Sequence, residues 1–417
     1  MKFAEQMLAA LEQENLPEAQ KYFQQALQDG TDEEQYWLAE QLFQLGFLEE
    51  AEDLYELLLA KYKDEGELLV RAAEVAIEKD DIEGAMEYLE QVNEQDDAYP
   101  ESLLVLADLY QMQGLHEVTE AKLEQAKALL PNEPVIDFAL GEFYLSTARF
   151  ASAVQSYQAV LDAGVTEFAG SQIYERIAES LASSGAFEEA ITYYEKALAE
   201  QEDVNTLFGL GLTSYQAKDY TKAIHALEHL KEHDPGFTTL YTYLAKSYEE
   251  NGEPDKALQA LADGLKQDEF NKELFLEAGK LAWKNDQVKD AEHYFRQAIA
   301  LDPEFIDAIL EVNKILLKKA DYEGIVELVE SLEQEILTEP QIFWDVSVAY
   351  QELDNYNKAK ESYDLAYPHF ANNATFLKEY GLFLREDGDV AKSGQVLAQY
   401  LTFEPGDEEV LSLLDYE

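Results

Sequence analysis

The sequence predicts an all-α solenoid of about twelve helical hairpins, closed by a C-terminal capping helix. Three observations predict it: a small–aromatic–small motif on one helical face, a glycine that ends the segment upstream of that motif, and a recurrence step of 34 residues. The motif reads Ala-x3-aromatic-x2-small in Ala19/Phe23/Ala26, Ala190/Tyr194/Ala197, Ala291/Phe295/Ala298 and Ala359/Tyr363/Ala366. Looser copies are Ala51/Tyr55/Leu58, Ala153/Tyr157/Val160 and Ala257/Leu261/Gly264. Steps of four and three residues put these side chains on one face of a helix. Alanine lets a neighbouring helix approach closely, and the aromatic ring fills the gap beside it.

The upstream segment of each unit carries its own small residue and a terminal glycine, as in Ala107-x2-Tyr110-x3-Gly114, Ala245-x2-Tyr248-x3-Gly252 and Gly381-x2-Leu384-x3-Gly388. The small residue permits close helix crossing, and the glycine supplies a left-handed turn. Pro131, Pro235, Pro303 and Pro405 stand where the second helix of a unit has to stop. Units therefore begin near 1, 32, 66, 100, 134, 171, 204, 238, 272, 306, 340 and 374. Unit 10 is weakly specified, with Asn313 at the small position, Ala320 at the turn and Ile325 in place of Ala; unit 4 has Thr119 where Ala is expected. Between units 5 and 6 the step lengthens to 37 across residues 162–170, which contain Gly164 and Gly170. That insertion suggests a bend, dividing the chain into 1–166 (units 1–5) and 167–406 (units 6–12); a continuous array is the alternative. Val410, Leu411, Leu413 and Leu414 make 407–417 the capping helix that hides the last apolar face.

These features resemble the tetratricopeptide-repeat (TPR) family, whose 34-residue helix–turn–helix unit has this small–aromatic–small pattern, and the resemblance covers essentially the whole chain. It implies a right-handed superhelix whose first helices line a concave surface that binds protein or peptide partners. The twelve-unit layout and acidity are also similar to a group of TPR proteins of Gram-positive bacteria. That group is linked to regulated proteolysis of a cell-wall precursor enzyme through an ATP-dependent protease.

Composition narrows the functions further. Asp and Glu number 87 against 30 Lys and Arg, a formal net charge of −57. Such a surface repels nucleic acid and anionic membrane, because binding phosphate backbones requires basic groups. With 47% hydrophobic and 12% aromatic residues the chain nonetheless has ample material to fold. There is no cysteine, hence no disulfide, thiol nucleophile or Cys-based zinc site. The opening residues show no signal-peptide core and no segment approaches 18 uninterrupted apolar residues, so a cytoplasmic location is expected.

Catalytic motifs are lacking: no P-loop, Gly-x-Ser-x-Gly, His-Glu-x-x-His or EF-hand loop occurs. Gly209-Leu-Gly211 half-matches a dinucleotide fingerprint, but Gly211 falls on the repeat's small position. His225, His229 and His233 align on one helical face, a spacing zinc or nickel can use. Ala223, Leu227 and Leu230 occupy the packing face, and no second segment supplies closing ligands, so a solvated stripe is the expectation. Acidic pairs such as Asp80-Asp81 and Glu188-Glu189 sit at turns and helix starts, where they cap amides. No enzyme activity, metal or cofactor is expected.

The resemblance also locates a groove, because the ninth position of each TPR unit points into it. Here that row reads Glu40, Glu74, Asp108, Glu142 and Glu179 in units 2–6, Leu212 in unit 7, then Lys246, Lys280 and Lys314 in units 8–10. Tyr243, Trp283, Lys284 and Lys318 are neighbouring candidates, with Trp283 as the anchor for an acidic, partly apolar peptide or helix. The acidic row, with Tyr36, Trp37 and Phe138 beside it, suits a basic partner. The bland alternative is that the charges only hydrate the groove and Trp283 packs between units. The carboxylate clamp for C-terminal Glu-Glu-Val-Asp tails is missing. Two functional readings follow: a scaffold or adaptor holding an extended peptide or helix, and a regulatory sensor of a signalling peptide. Oligomeric state stays open.

Overall fold

A computed structural model describes residues 2–332 and 339–414. Among them are 25 helices and one two-stranded hairpin. The first six helical pairs are α1 and α2 (Lys2–Glu12, Leu16–Asp29), α3 and α4 (Asp32–Gln44, Leu48–Lys61), α5 and α6 (Gly66–Glu78, Ile82–Glu90), α7 and α8 (Tyr99–Met112, His116–Leu129), α9 and α10 (Pro134–Ser146, Phe150–Asp162), and α11 and α12 (Ile173–Ser183, Phe187–Glu200). The next six are α13 and α14 (Val204–Gln216, Tyr220–His233), α15 and α16 (Thr239–Glu250, Pro254–Gln267), α17 and α18 (Lys272–Lys284, Val288–Leu301), α19 and α20 (Ile306–Lys319, Tyr322–Glu330), α21 and α22 (Pro340–Glu352, Tyr356–Phe370), and α23 and α24 (Ala374–Glu386, Val390–Tyr400). The capping helix α25 spans Glu408–Leu414 with Val410 fully buried; residues 415–417 of the expected 407–417 lie outside the described residues.

The repeat register is written in the backbone. Each of the twelve hairpin turns places one residue at positive φ: Glu14, Gly46, Asp80, Gly114, Ala148, Gly185, Lys218, Gly252, Asp286, Ala320, Asp354 and Gly388. They fall 34 apart from Gly46 to Ala148 and again from Lys218 to Gly388. Only five are glycine. The other seven hold a conformation that costs an L-residue about 1–2 kcal/mol, so the packing of the flanking helices must impose it.

That packing follows the motif. Every motif alanine and aromatic named above is at most 5% exposed. Gly141 shows why the small position is small: a Cβ there would lie 2.5 Å from the ring of Tyr157, on the second helix of the same hairpin. Gly279 and Phe295 repeat the arrangement at 2.4 Å. Adjacent hairpins are also tied by a tyrosine that donates to a glutamate of the preceding second helix. These are Tyr144 to Glu124 (3.0 Å), Tyr248 to Glu228 (2.9 Å) and Tyr350 to Glu330 (3.0 Å).

The chain divides into two compact units, Met1–Thr213 and Ser214–Glu417, with the boundary inside α13. In the first, apolar clusters run from Ala4 to Val75, from Leu69 to Leu109 and from Leu103 to Ala190. The inserted residues between the fifth and sixth hairpins form a tight antiparallel turn, β1 (Glu167–Phe168) against β2 (Ser171–Gln172). Ala169 and Gly170 at its tip both have positive φ, and Phe168 packs on Phe138 at 4.9 Å. The expected division at 166 falls within this unit. In the second unit one cluster extends from Leu276 to Val410.

Unit 10 folds despite its sequence. Ile325 is fully buried in the alanine position, and Ala320 takes the left-handed turn. Asn313 is fully buried and donates to Asp345 Oδ2 at 3.2 Å, while its own Oδ1 has no hydrogen-bond partner among the described residues. In unit 4, Thr119 is fully buried and satisfies its hydroxyl by donating to the Leu115 carbonyl at 3.1 Å.

Candidate functional site

The first helices α15 and α17 lie side by side and leave a cleft of about 170 Å³ between them. Its floor is Ala245, Leu261 and Leu281, and its walls carry Lys246 and Glu249 from α15 with Glu277, Lys280 and Lys284 from α17. Residues three and four apart on a helix share a face, which is why Glu277, Lys280, Leu281 and Lys284 point the same way. The charges are interleaved. Glu277 sits between Lys246 (3.3 Å) and Lys280 (3.4 Å), and Lys284 reaches Glu249 at 2.6 Å. The Glu249 carboxylate holds the Lys284 ammonium above the usual lysine range. The three lysine side chains remain 40%, 46% and 67% exposed, so a ligand reaches them without unfolding the wall.

The structure therefore brings together three of the lysines expected from the sequence and separates the others. Lys314 pairs with Glu311 on its own helix at 2.7 Å. Lys318 lies over the ring of Trp283 at 4.5 Å, and Trp283 packs partly buried against the core of the second unit. Tyr243 faces Tyr215 at 6.0 Å and the Lys246 ammonium at 5.9 Å. None of these four lines the cleft. His229 and His233 make an edge-on ring contact at 4.8 Å within α14.

The acidic row in the first unit is broken up by two arginines. Arg71 contacts Glu74 (2.6 Å), Glu101 (3.0 Å) and Glu40 (3.6 Å), and Arg176 contacts Glu179 (2.9 Å) and Glu142 (3.2 Å). Glu40 also accepts from Tyr36 (3.2 Å), and Glu142 from Tyr157 (2.6 Å). Asp108 has no ion pair among the described residues; desolvation by the surrounding wall pushes its carboxyl up although the side chain still reaches solvent.

Sequence reasoning missed the counter-charges. Glu277, Glu311, Arg71 and Arg176 each stand three residues before the charge they neutralise, a spacing that was available to find them. Glu249 was not findable that way, because its pairing with Lys284 depends on how two different helices sit. The polar group around Asp345 was missed too. Asp345 is 5% exposed, accepts from Gln341 at 2.8 Å as well as from Asn313, and burial pushes its carboxyl up to about 6.

Twelve hairpins in this register, with charged first-helix clefts, define a TPR array, a fold that mediates protein–protein interaction. Within that class the chain belongs to the YpiA-like tetratricopeptide-repeat family. The descriptions "YpiA-like, tetratricopeptide repeats" and "YpiA-like, C-terminal tetratricopeptide repeats" match residues 111–165 and 340–407, and a general tetratricopeptide repeat matches 5–66 and 243–304. The TPR repeat-containing protein YpiA of Bacillus subtilis (strain 168) is 42% identical over 379 residues, covering 91% of this chain and 89% of that protein. Among solved structures, the APC/C hetero-tetramer Cut9–Hcn1 is similar at 15% identity and TM-score 0.34, covering 98% of this chain and 95% of that one. YrrB, described as a TPR protein with an unusual peptide-binding site, is similar at 18% identity and TM-score 0.37, covering 45% and 95%. Likenesses this distant carry no argument about the cleft. No helix among the described residues is long and apolar enough to cross a membrane.

Proposed function

We propose that this chain is a non-catalytic adaptor whose second unit holds an acidic segment of a partner protein in the α15–α17 cleft. The observation that carries the proposal is the position of Glu277. Its carboxylate, held between Lys246 and Lys280, occupies the place a ligand carboxylate would take. A partner's Glu or Asp displaces it and inherits both lysines. Exposed ion pairs are worth only about 0–1 kcal/mol each, so affinity accumulates over several repeats rather than at one contact. The resemblance to the Gram-positive TPR group extends the proposal to a cytoplasmic adaptor in regulated proteolysis of a cell-wall enzyme. That finer reading is lost if removing the chain from its host leaves the enzyme's half-life unchanged.

The cleft is tested with a fluorescent 14-residue Glu/Leu peptide. A chain of net charge −57 repels such a probe everywhere except at a local basic site, so binding at 0.15 M salt (Debye length about 8 Å) is a stringent result. Reversing Lys246→Glu, Lys280→Glu and Lys284→Glu together is expected to weaken binding at least about tenfold with unchanged helicity. Binding retained by the triple variant removes the proposal.

A further inference from the structure

A second, apolar cleft opens at the tips of the first two hairpins, far along the sequence from the lysine cleft and opposite to it in chemistry. Its volume is about 710 Å³, within the range that accommodates a bound ligand or a helix face. Leu8 and Leu11 of α1, Leu16 at the start of α2, and Leu45 and Phe47 in the α3–α4 turn line it. Leu16 and Leu45 are 62% and 57% exposed and both line the cleft, so two large apolar side chains of one hollow face solvent. An adjoining hollow of about 440 Å³ shares Leu11, Leu16 and Phe47 and continues the apolar strip toward Glu50.

The rim is acidic and unneutralised. Glu12 and Glu14 border the cleft and Glu50 borders the adjoining hollow. None of the three has an ion pair or side-chain hydrogen bond among the described residues. This contrasts with the lysine cleft, where the acidic residues are already held by cations. Gln41 and Gln44 add amide groups along the α3 side.

We propose that this cleft docks a basic amphipathic helix of a partner protein. Leu or Ile side chains at positions i, i+3/i+4 and i+7 enter the strip between Leu11, Leu16 and Leu45, and flanking Lys or Arg pair with Glu12, Glu14 and Glu50. The cationic helix gains from the field of the whole chain during encounter, and apolar burial gives the cleft its selectivity. An anionic membrane surface, the other apolar-and-charged candidate, is repelled by the same carboxylates.

The probe is a labelled 16-residue Leu/Lys amphipathic helix, measured by anisotropy at 0.15 M salt against the full chain. A scrambled peptide of identical composition controls for diffuse attraction to an acidic protein. The amphipathic probe is expected to bind at least about tenfold tighter than the scramble. Leu16→Ser with Leu45→Ser, both at exposed positions, is expected to abolish that difference, and Glu12→Gln with Glu14→Gln to reduce it severalfold. The Lys246, Lys280 and Lys284 reversal leaves it unchanged. Equal binding of scramble and probe overturns the proposal, as does full binding by the Leu16→Ser/Leu45→Ser chain. Sedimentation showing a wild-type dimer that this variant dissociates assigns the cleft to a second copy and overturns it as well.

Discussion

Replacing Tyr363 with Ala is expected to cost the second unit about 3–5 kcal/mol, the range for deleting a fully buried aromatic side chain. Tyr363 is the motif aromatic of α22 and is fully buried. Its ring stands 5.1 Å from Tyr380, 4.9 Å from Phe383 and 5.9 Å from Phe376, so it joins the eleventh hairpin to α23 of the twelfth. Such aromatic pairs add about 0.5–1.5 kcal/mol beyond the burial of their area. The hydroxyl donates to Gln351 at 3.1 Å, a contact worth about 1 kcal/mol. Tyr363→Phe should therefore lose only that smaller amount. Urea unfolding followed by tryptophan emission reads the change, because Trp344 lies 5.2 Å from Phe376 in the same cluster. A loss under about 1 kcal/mol for Tyr363→Ala contradicts the packing described.

Asp345→Asn is expected to stabilise the chain at neutral pH. Burial raises the Asp345 carboxyl to about 6; the hydrogen bonds from Gln341 and Asn313 and the charge of Lys314 pull it down without offsetting burial, and Glu379 adds to the rise. The folded state thus holds this proton more tightly than the unfolded chain, whose aspartate titrates near 3.8. No penalty exists below the unfolded value. It grows as pH rises between the two and is complete above 6, at about 3 kcal/mol for a shift of roughly two units. An amide at 345 carries no charge to bury; with its NH₂ in place of Oδ2 and the Asn313 amide turned over, it donates to Asn313 Oδ1 in exchange for the bond Asn313 now gives. The variant's advantage should be largest at pH 7.5 and roughly halved at pH 5, still above the sequence pI of about 4.2. An Asp345→Asn chain less stable than wild type at pH 7.5, or an advantage independent of pH, contradicts the assignment.

The repeat was legible because local chemistry and tertiary need coincide at each copy. Ala359, Tyr363 and Ala366 share a helical face, and each is fully buried. Turns were legible where glycine marks them, as at Gly114 and Gly252, and at Ala320 through the repeat register alone, but not at Lys218 or Asp354. Those residues do not prefer positive φ; the helices on either side force it. The repeat register put Lys246, Lys280 and Lys314 in one row, of which only Lys246 and Lys280 line the cleft; register also says nothing of charge balance, which depends on Glu249 and Glu277 facing the lysines from α15 and α17. Asp345 was illegible for a different reason. One buried aspartate among 87 acidic residues has no signature until Asn313 is seen opposite it.

The adaptor reading turns on whether Glu277 is a stand-in for a ligand carboxylate. The direct measurement is the affinity of the Glu/Leu peptide for the Glu277→Gln chain. Removing that carboxylate leaves Lys246 and Lys280 without their present partner, so the peptide no longer has to displace it. Exposed contacts of this kind are worth up to about 1 kcal/mol each when uncontested. Binding should tighten severalfold, and the gain should vanish when Lys246 and Lys280 are also reversed. Unchanged or weakened binding by Glu277→Gln would contradict the account.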